Sequence, residues 1–484
     1  MSVERDAVVV GGGLAGITAA LDLADAGARV TLLEVRRRLG GAAYSFERDG
    51  LEMDNGQHVF LRGCDAYRGL LARLGSERHV RVQERLEIPV LSPGEPPYRL
   101  RRSSLPAPLH LAGALARYPR MPLRARLAAV RGALALMRIR REDAALDAET
   151  LGSWLGRHGQ SEAAIAALWD LIALPTLNLP AAEASLELGE FVFRRGLLTS
   201  PADGDIGFHD STLSQIIAAP AQDALARAGV EVRLGFGAQE LHAVEGGFEV
   251  IGRGGERDEG AVRAHNAVVA VPHPRAASLL EPVLGDAAAR WRALSTSPIV
   301  NLHVVYDRVV CDEPFAAGVG TPVQYLFDRS AAAGAPSGCQ YLAVSLSGAA
   351  REMGESVDAL RERYLPALAE LLPRARTARV EAFLVTREHA ATFRAAPGCG
   401  RLRPGARTSL PGLLLGGTWT DTGWPATLEG AVLSGHEAAA HTLARLGHPP
   451  GGLASPSASA PPSASLPPSA SVPPSASASP AGAR

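Results

Sequence analysis

The chain has 484 residues with 49 basic and 50 acidic side chains, a formal net charge of -1 at pH 7 and 46% hydrophobic residues. That balance excludes the basic surplus of a nucleic-acid binder, and the hydrophobic content suffices for one large composite domain or two to three smaller ones. Four cysteines, Cys64, Cys311, Cys339 and Cys399, lie far apart without C-x-x-C spacing, so neither a disulfide framework nor a metal site is expected and a reducing, cytoplasmic setting fits. The charged start Met1–Asp6 does not read as a signal peptide. No apolar run approaches the eighteen or so residues of a spanning helix, which leaves peripheral contact as the expected form of any membrane association.

From Ala7 the pattern is that of a βαβ dinucleotide fingerprint: the apolar run Ala7–Val10, the turn Gly11-Gly12-Gly13-Leu14-Ala15-Gly16, an amphipathic helix, and the strand Val30–Leu33 closed by Glu34. Gly11 permits the turn, Gly13 admits a pyrophosphate to the backbone, and Gly16 lets helix and strand pack closely. Glu34 stands where a carboxylate accepts from ribose hydroxyls. Arg36 follows, able to neutralise phosphate charge, and Gly40-Gly41-Ala42 offers a second close backbone approach. Taken alone, the fingerprint allows NAD and FAD equally.

The run from Glu34 through Arg36 and Arg38 to Gly40-Gly41 resembles the extended flavin motif of the amine oxidase and carotenoid desaturase superfamily of FAD-dependent oxidoreductases. That resemblance implies an α/β fold: a Rossmann-like FAD-binding domain of the GR2 flavoprotein type, interleaved with an α+β substrate domain and a helical, membrane-facing insertion. Ala42 departs from the motif, which often has Arg there. Asp54-Asn55-Gly56-Gln57-His58 is polar, flexible loop material between a strand and an apolar segment. It resembles the segment beneath the flavin ring, and in its Asn-Gly-Gln-His form the hydroxysqualene dehydroxylase group. Gly56, Gln57 and His58 are accordingly candidate cofactor contacts, and His58 is the candidate for catalysis; its alternative role is to cap or pack a turn.

Tyr98–Arg141 is arginine-rich without one acidic residue. Leu123, Leu127, Val130, Leu134 and Met137 recur at spacings of four and three, flanked by Arg124, Arg126, Arg131 and Arg138. Such a helix either covers a substrate domain or, across the basic region 99–141, lies on anionic lipid, with each basic residue worth about 1 kcal/mol. Leu174–Pro180 reads as a loop between helices, and its Thr176-Leu177-Asn178 is also seen in the dehydroxylase group. Asp210 or Ser211 is expected to cap the helix that follows, and His303 to be a satisfied sheet histidine.

Gly229–Leu234 and Ala267–Val271 look like a return to the cofactor domain, with backbone near Ala238 matching the superfamily's adenine contact. Ile299–Tyr306 and Tyr341–Leu346 alternate as strands, and Ser356–Leu372 as a helix. Gly412–Leu415, Gly416-Gly417, a polar loop and a helix from about Ala426 form a second βα corner. It resembles the superfamily's carboxy-terminal flavin motif, which carries over Gly417, Thr418, Ala426, Thr427 and Leu428.

The expected division is 1–95, 206–275 and 405–447 for the FAD-binding domain, 96–205 for the helical insertion, 276–404 for the substrate domain, and 448–484 for a disordered Pro/Ser/Ala tail. The resemblance implies FAD as cofactor, a long apolar isoprenoid as substrate, and reductive removal of a hydroxyl for hopanoid synthesis. A carotenoid-type desaturase, an amine oxidase and a non-catalytic flavoprotein are the alternatives.

Overall fold

A computed structural model describes residues 5–141, 143–254 and 258–448. The expected tail therefore lies outside the described residues, apart from its first position. The elements that organise the site are, in order, β1 (Arg5–Val10), α1 (Leu14–Asp25), β2 (Val30–Glu34), α2 (Leu123–Leu136), α3 (Asp170–Leu177) and β3 (Asp258–Val269). They continue with β4 (Thr296–Tyr306), β5 (Tyr325–Asp328), β6 (Gln340–Ser347), β7 (Val380–Phe393), β8 (Leu413–Leu415) and α4 (Leu428–Arg445).

The first sheet is built on parallel pairs. Strand 231–234 lies beside β2, β2 beside β1, β1 beside β3, and β8 on the other side of β3. The amino-terminal half of β3 turns away to pair antiparallel with strand 247–254, which pairs with 236–244. Strands β1, β2 and β8 bury residues on both faces: Ala7, Val9, Leu32 and Leu414 pack with α1 and α4, and Val8, Val10, Leu33, Leu413 and Leu415 share a core with Phe236, Leu241 and Val250 of the antiparallel strands. Helices α1 and α4 pack side by side on one face, close enough that a Cβ at Gly435 would stand 2.4 Å from the Ala15 carbonyl.

The second sheet runs β7, β4, β6, β5, then strands 315–318, 87–92 and 95–101. On β4, Val300, Leu302, Val304 and Tyr306 enter a core shared with the helix Val357–Leu371, whose amino terminus Ser356 caps at 3.1 Å from the Ala359 amide. Ile299, Asn301, His303 and Val305 occupy the other face, the one turned toward the first domain. The division expected at residue 95 needs correction, because the hairpin 87–101 belongs to this second sheet through the parallel pairing of Val90 with Ala317.

The expected loop 174–180 is helical as far as Leu177, with Pro175 inside α3. Asn178 ends the helix at φ 53 and is then fully engaged. Its Nδ2 donates to the Ser297 carbonyl at 3.0 Å, its Oδ1 accepts from the Gly348 amide at 2.6 Å, and its carbonyl accepts from Ser297 Oγ at 2.6 Å. Such an αL position tolerates Asn among non-glycine residues, so this part of the Thr-Leu-Asn motif fastens α3 to the second sheet.

The expected amphipathic helix is α2, but its inward face is the small one. Ala128, Ala129, Gly132 and Leu136 are buried, and a Cβ at Gly132 would come within 3.3 Å of Gln160 and Trp169. The large stripe faces outward instead, with Leu123 63%, Leu127 53%, Val130 40% and Leu134 39% exposed, and Leu105 and Leu109 are exposed upstream. Among the described residues, no helix is long and apolar enough to cross a membrane.

Candidate active site

The turn after β1 is shaped by three glycines with different neighbours. Gly11 has φ 113, and a Cβ there would lie 2.3 Å from the Ala270 carbonyl; at Gly16 it would lie 1.8 Å from the Gly11 carbonyl. At Gly13 it would meet nothing nearer than Gly41 Cα at 3.7 Å. Protein packing thus explains Gly11 and Gly16 and leaves open space at Gly13. The amino terminus of α1 has no side-chain cap and no acidic residue in its first turn, so the amides over Leu14 and Ala15 suit an anion. Gly40 pairs with Gly13 as an isolated bridge, and a Cβ at Gly41 would stand 2.8 Å from Gly13 Cα, which puts the second glycine pair against the same turn.

Glu34 is buried below this turn and accepts from the Gly12 amide at 2.6 Å and the Arg36 amide at 2.7 Å. Each oxygen retains a second lone pair for a hydroxyl. Arg36 and Ala42 are exposed. Near the unfilled position 42, Arg38 lies over the Tyr44 ring at 3.7 Å and donates to the Gly41 carbonyl at 3.1 Å. Ala238 stands beside a β-bulge with its carbonyl taken by Arg275.

Asn55 ties the first domain to the second sheet. Its Nδ2 donates to the Ala42 carbonyl at 2.9 Å and to Glu388 at 3.0 Å, and its Oδ1 accepts from the Tyr44 amide at 3.2 Å. Its carbonyl accepts from Asn301 Nδ2 at 2.9 Å and Thr386 Oγ1 at 3.2 Å. The loop 54–58 and the turn 40–44 therefore meet the second sheet at one residue. Asp54 is paired to Arg329 at 2.9 Å and accepts from the Leu213 amide, so it makes the contact expected of Asp210 or Ser211. Asp210 pairs instead with Arg81, and Ser211 meets His79.

The histidines here are neutral for identifiable reasons. His58 Nδ1 faces the Gly56 carbonyl at 3.0 Å, so it carries the proton and donates, while burial holds the ring's pKa below its ordinary value. His209 Nδ1 donates to the His58 carbonyl, its Nε2 accepts from Tyr67, and burial pushes its pKa down to about 3. His303 is fully buried with both nitrogens engaged. Thr386 donates to the Asn55 carbonyl, so it accepts from His303 Nε2 at 3.0 Å, which leaves Nδ1 to accept from Tyr341 at 2.6 Å; burial lowers this pKa to about 4.

At the second corner Gly417 has φ 124, and its amide is held by Ser434 Oγ at 2.7 Å. Thr418 and Ala426 are half-buried. The helix expected from Ala426 starts at Leu428, because Thr427 is its cap and accepts from the Gly430 amide at 3.1 Å. Glu429 in the first turn of α4 accepts from the amides of Ala66 and Tyr67. Tyr67, His209 and His58 then link this corner to the loop 54–58. Sequence reasoning missed Tyr67, Arg329, Asn301, Thr386 and Glu388. The available signal was Asn301 and His303 alternating on one face of an otherwise apolar strand.

The flavin-containing amine oxidoreductase family matches residues 14–443. A hydroxysqualene dehydroxylase of Rhodopseudomonas palustris is 31% identical over 448 residues, covering 90% of this chain and 98% of the relative. A 15-cis-phytoene desaturase of Narcissus pseudonarcissus is 25% identical over 470 residues, covering 89% of this chain and 78% of the relative. The crystal structure of an oxidoreductase from Methanosarcina mazei is similar in fold, with TM-score 0.69 at 18% identity, covering 89% and 98% of the two chains.

Proposed function

We propose, for a chain that belongs to the flavin-containing amine oxidoreductase family and so is a flavin-dependent oxidoreductase, that it binds FAD and reductively removes the hydroxyl of hydroxysqualene to give squalene for hopanoid synthesis. The near full-length similarity to a hydroxysqualene dehydroxylase carries this reading. The open space at Gly13, facing an uncapped helix amino terminus, is the structural observation that fits a pyrophosphate.

In this reading Gly11, Gly13, Leu14, Ala15, Gly16, Glu34 and Arg36 hold the adenosine and phosphate half, with Ala238 beside the adenine. Gly40 and Gly41 close on the pyrophosphate beside Gly13, and Ala42, Gly56, Gln57, His58, Gly417, Thr418, Ala426, Thr427 and Leu428 surround the ring. Bound FAD, in its reduced form, supplies the two electrons and the hydrogen that replace the hydroxyl, which leaves as water. The second sheet and the helical insertion hold the hydrocarbon away from water, which would trap a cation formed on loss of the hydroxyl. The outward stripe of α2 with Arg124, Arg131 and Arg138 rests on an anionic membrane, from which such a substrate is drawn.

A carotenoid-type desaturase is the second reading, favoured by the phytoene desaturase similarity. FAD-loaded protein is incubated with hydroxysqualene and a reductant, and separately with phytoene and an oxidant, and the lipids are analysed. Squalene formation supports the first reading; desaturated phytoene with no squalene refutes it.

A further inference from the structure

The face of the second sheet that meets Asn55 carries a continuous polar row, flanked on one side by the row of Glu388, Ile299 and Ser347. Strand register places Thr386 of β7 opposite Asn301 of β4, Asn301 opposite Ser345 of β6, and Ser345 opposite Tyr325 of β5. Directly paired residues point to the same face, with Cβ atoms about 5 Å apart. The next row is His303, Ala343, Phe327 and Phe315. Beyond it Phe208 meets Phe315 at 4.9 Å between ring centroids.

Two members of the polar row are engaged: Thr386 with Asn55 and His303, and Tyr325 through its hydroxyl to the Leu171 carbonyl of α3 at 2.8 Å. Two are left with hydrogen-bonding capacity. The Asn55 carbonyl requires a donor, which fixes the Asn301 amide with Nδ2 toward it, and the buried Oδ1 has no partner. Ser345, next to it, is half-buried, and its hydroxyl makes no hydrogen bond among the described residues. Ile299, Thr386, Glu388 and Tyr325 are also half-buried, so the face is not packed shut around Ser345 although the first domain and α3 lie over it.

Buried acceptors are rarely left unmatched, and a hydroxyl with access to open space beside one completes a short relay. The structure does not show a bond between them, but a Ser345 hydroxyl turned toward Asn301 Oδ1 would donate there and accept from an incoming O–H. We propose that Ser345 is the contact for the hydroxyl of an otherwise hydrocarbon substrate, with Asn301 as its positioning residue, and that the aromatic side of the same face carries the hydrocarbon beneath α3. The inference rests on the dehydroxylase reading and deepens it, since a carotenoid hydrocarbon has no oxygen to meet this pair. Sites built to hydrogen-bond a hydroxyl discriminate against analogues that lack it.

The test is equilibrium binding of hydroxysqualene and of squalene to flavin-loaded protein in detergent, read by the change in flavin absorbance. Wild type binds the alcohol more tightly than the hydrocarbon. Ser345→Ala weakens the alcohol roughly 5- to 10-fold, leaves the hydrocarbon within about twofold, and Ser345→Thr restores the preference. Ser345→Phe, which fills the space, removes both ligands while flavin remains bound. Equal weakening of both ligands in Ser345→Ala, or an unchanged preference, overturns the proposal and leaves the dehydroxylase reading standing. Failure of wild type to bind either ligand defeats both.

Discussion

Gly13 and Gly16 stand three residues apart in one turn, yet one faces open space and the other the Gly11 carbonyl, and alanine separates the packing role of Gly16 from the pyrophosphate contact proposed for Gly13. A Cβ at Gly16 would lie 1.8 Å from the Gly11 carbonyl, where ordinary contact begins at 3.4 Å, so Gly16→Ala requires the α1 backbone to retreat from β1 by more than 1 Å. Overpacking of this kind costs about 1–3 kcal/mol in the protein without cofactor. At Gly13 the nearest atom is 3.7 Å away and φ is -80, so alanine fits the empty protein. Only the weaker capping tendency of Ala counts there, about 0.5–1 kcal/mol, or about 1–2 °C in a chain of this size. The same methyl occupies space assigned to the pyrophosphate, at a cost of about 1–3 kcal/mol of binding, which is roughly 5- to 150-fold in affinity. Thermal unfolding of the flavin-free variants, followed by FAD titration with fluorescence quenching, reads both quantities. Gly13→Ala that melts as early as Gly16→Ala, or that keeps wild-type affinity for FAD, refutes the assignment.

Co-sedimentation with vesicles of anionic lipid tests α2: replacing Arg124, Arg131 and Arg138 by Gln removes about 3 kcal/mol of attraction and the sensitivity to salt, and unchanged binding rejects the membrane face. Buried His303 titrates near 4, below the 6.5 of an unfolded chain, so the unfolded state binds the extra proton first and stability falls as pH drops below 6.5. Between pH 7 and 5 this ring accounts for about 2 kcal/mol, so His303→Asn shows a correspondingly smaller loss of urea-measured stability over that interval; equal losses in both proteins contradict a neutral His303.

Much of the first sheet was legible because its signals are local. The β1–α1–β2 unit, the glycines of both corners and the strands β4 and β6 follow from periodicity and from turns that only particular residues allow. The departures arise where a distant partner decides. Leu174–Pro180 looked like a loop because of Pro175 and Pro180, yet α3 continues to Asn178, whose side chain is satisfied by β4, β7 and the residue after β6. The cap assigned to Asp210 or Ser211 comes from Asp54, more than 150 positions away. On α2 the large residues were expected to mark one apolar stripe, and only the packing of Gly132 against Gln160 and Trp169 reveals that the small face points inward. The convergence on Asn55 joins positions 42, 301, 386 and 388, a pairing that register creates and no local pattern encodes.

In the proposed dehydroxylation a proton must accompany the departing hydroxyl, and the hydrogen bonds of this convergence constrain its source. His58, His209 and His303 lie around the loop 54–58, and burial lowers the pKa of each. Their polar hydrogens are already committed to the Gly56 carbonyl, the His58 carbonyl and Thr386. A neutral ring in such a bond is a poor acid at pH 7, because it would have to surrender the hydrogen that orients it. Asp54 is paired with Arg329, and Glu388 accepts from both Tyr44 and Asn55, so both carboxylates are already engaged within the protein. In the proposed reaction the proton would therefore reach the leaving oxygen from water or through a hydroxyl relay rather than from an imidazolium. It follows that single-turnover rates with saturating hydroxysqualene and pre-reduced enzyme show no limb near pH 6.5, the ordinary histidine value. A rate that falls tenfold per unit above that pH, and loses this limb in His58→Gln, would restore His58 as the acid and displace the neutral-ring account.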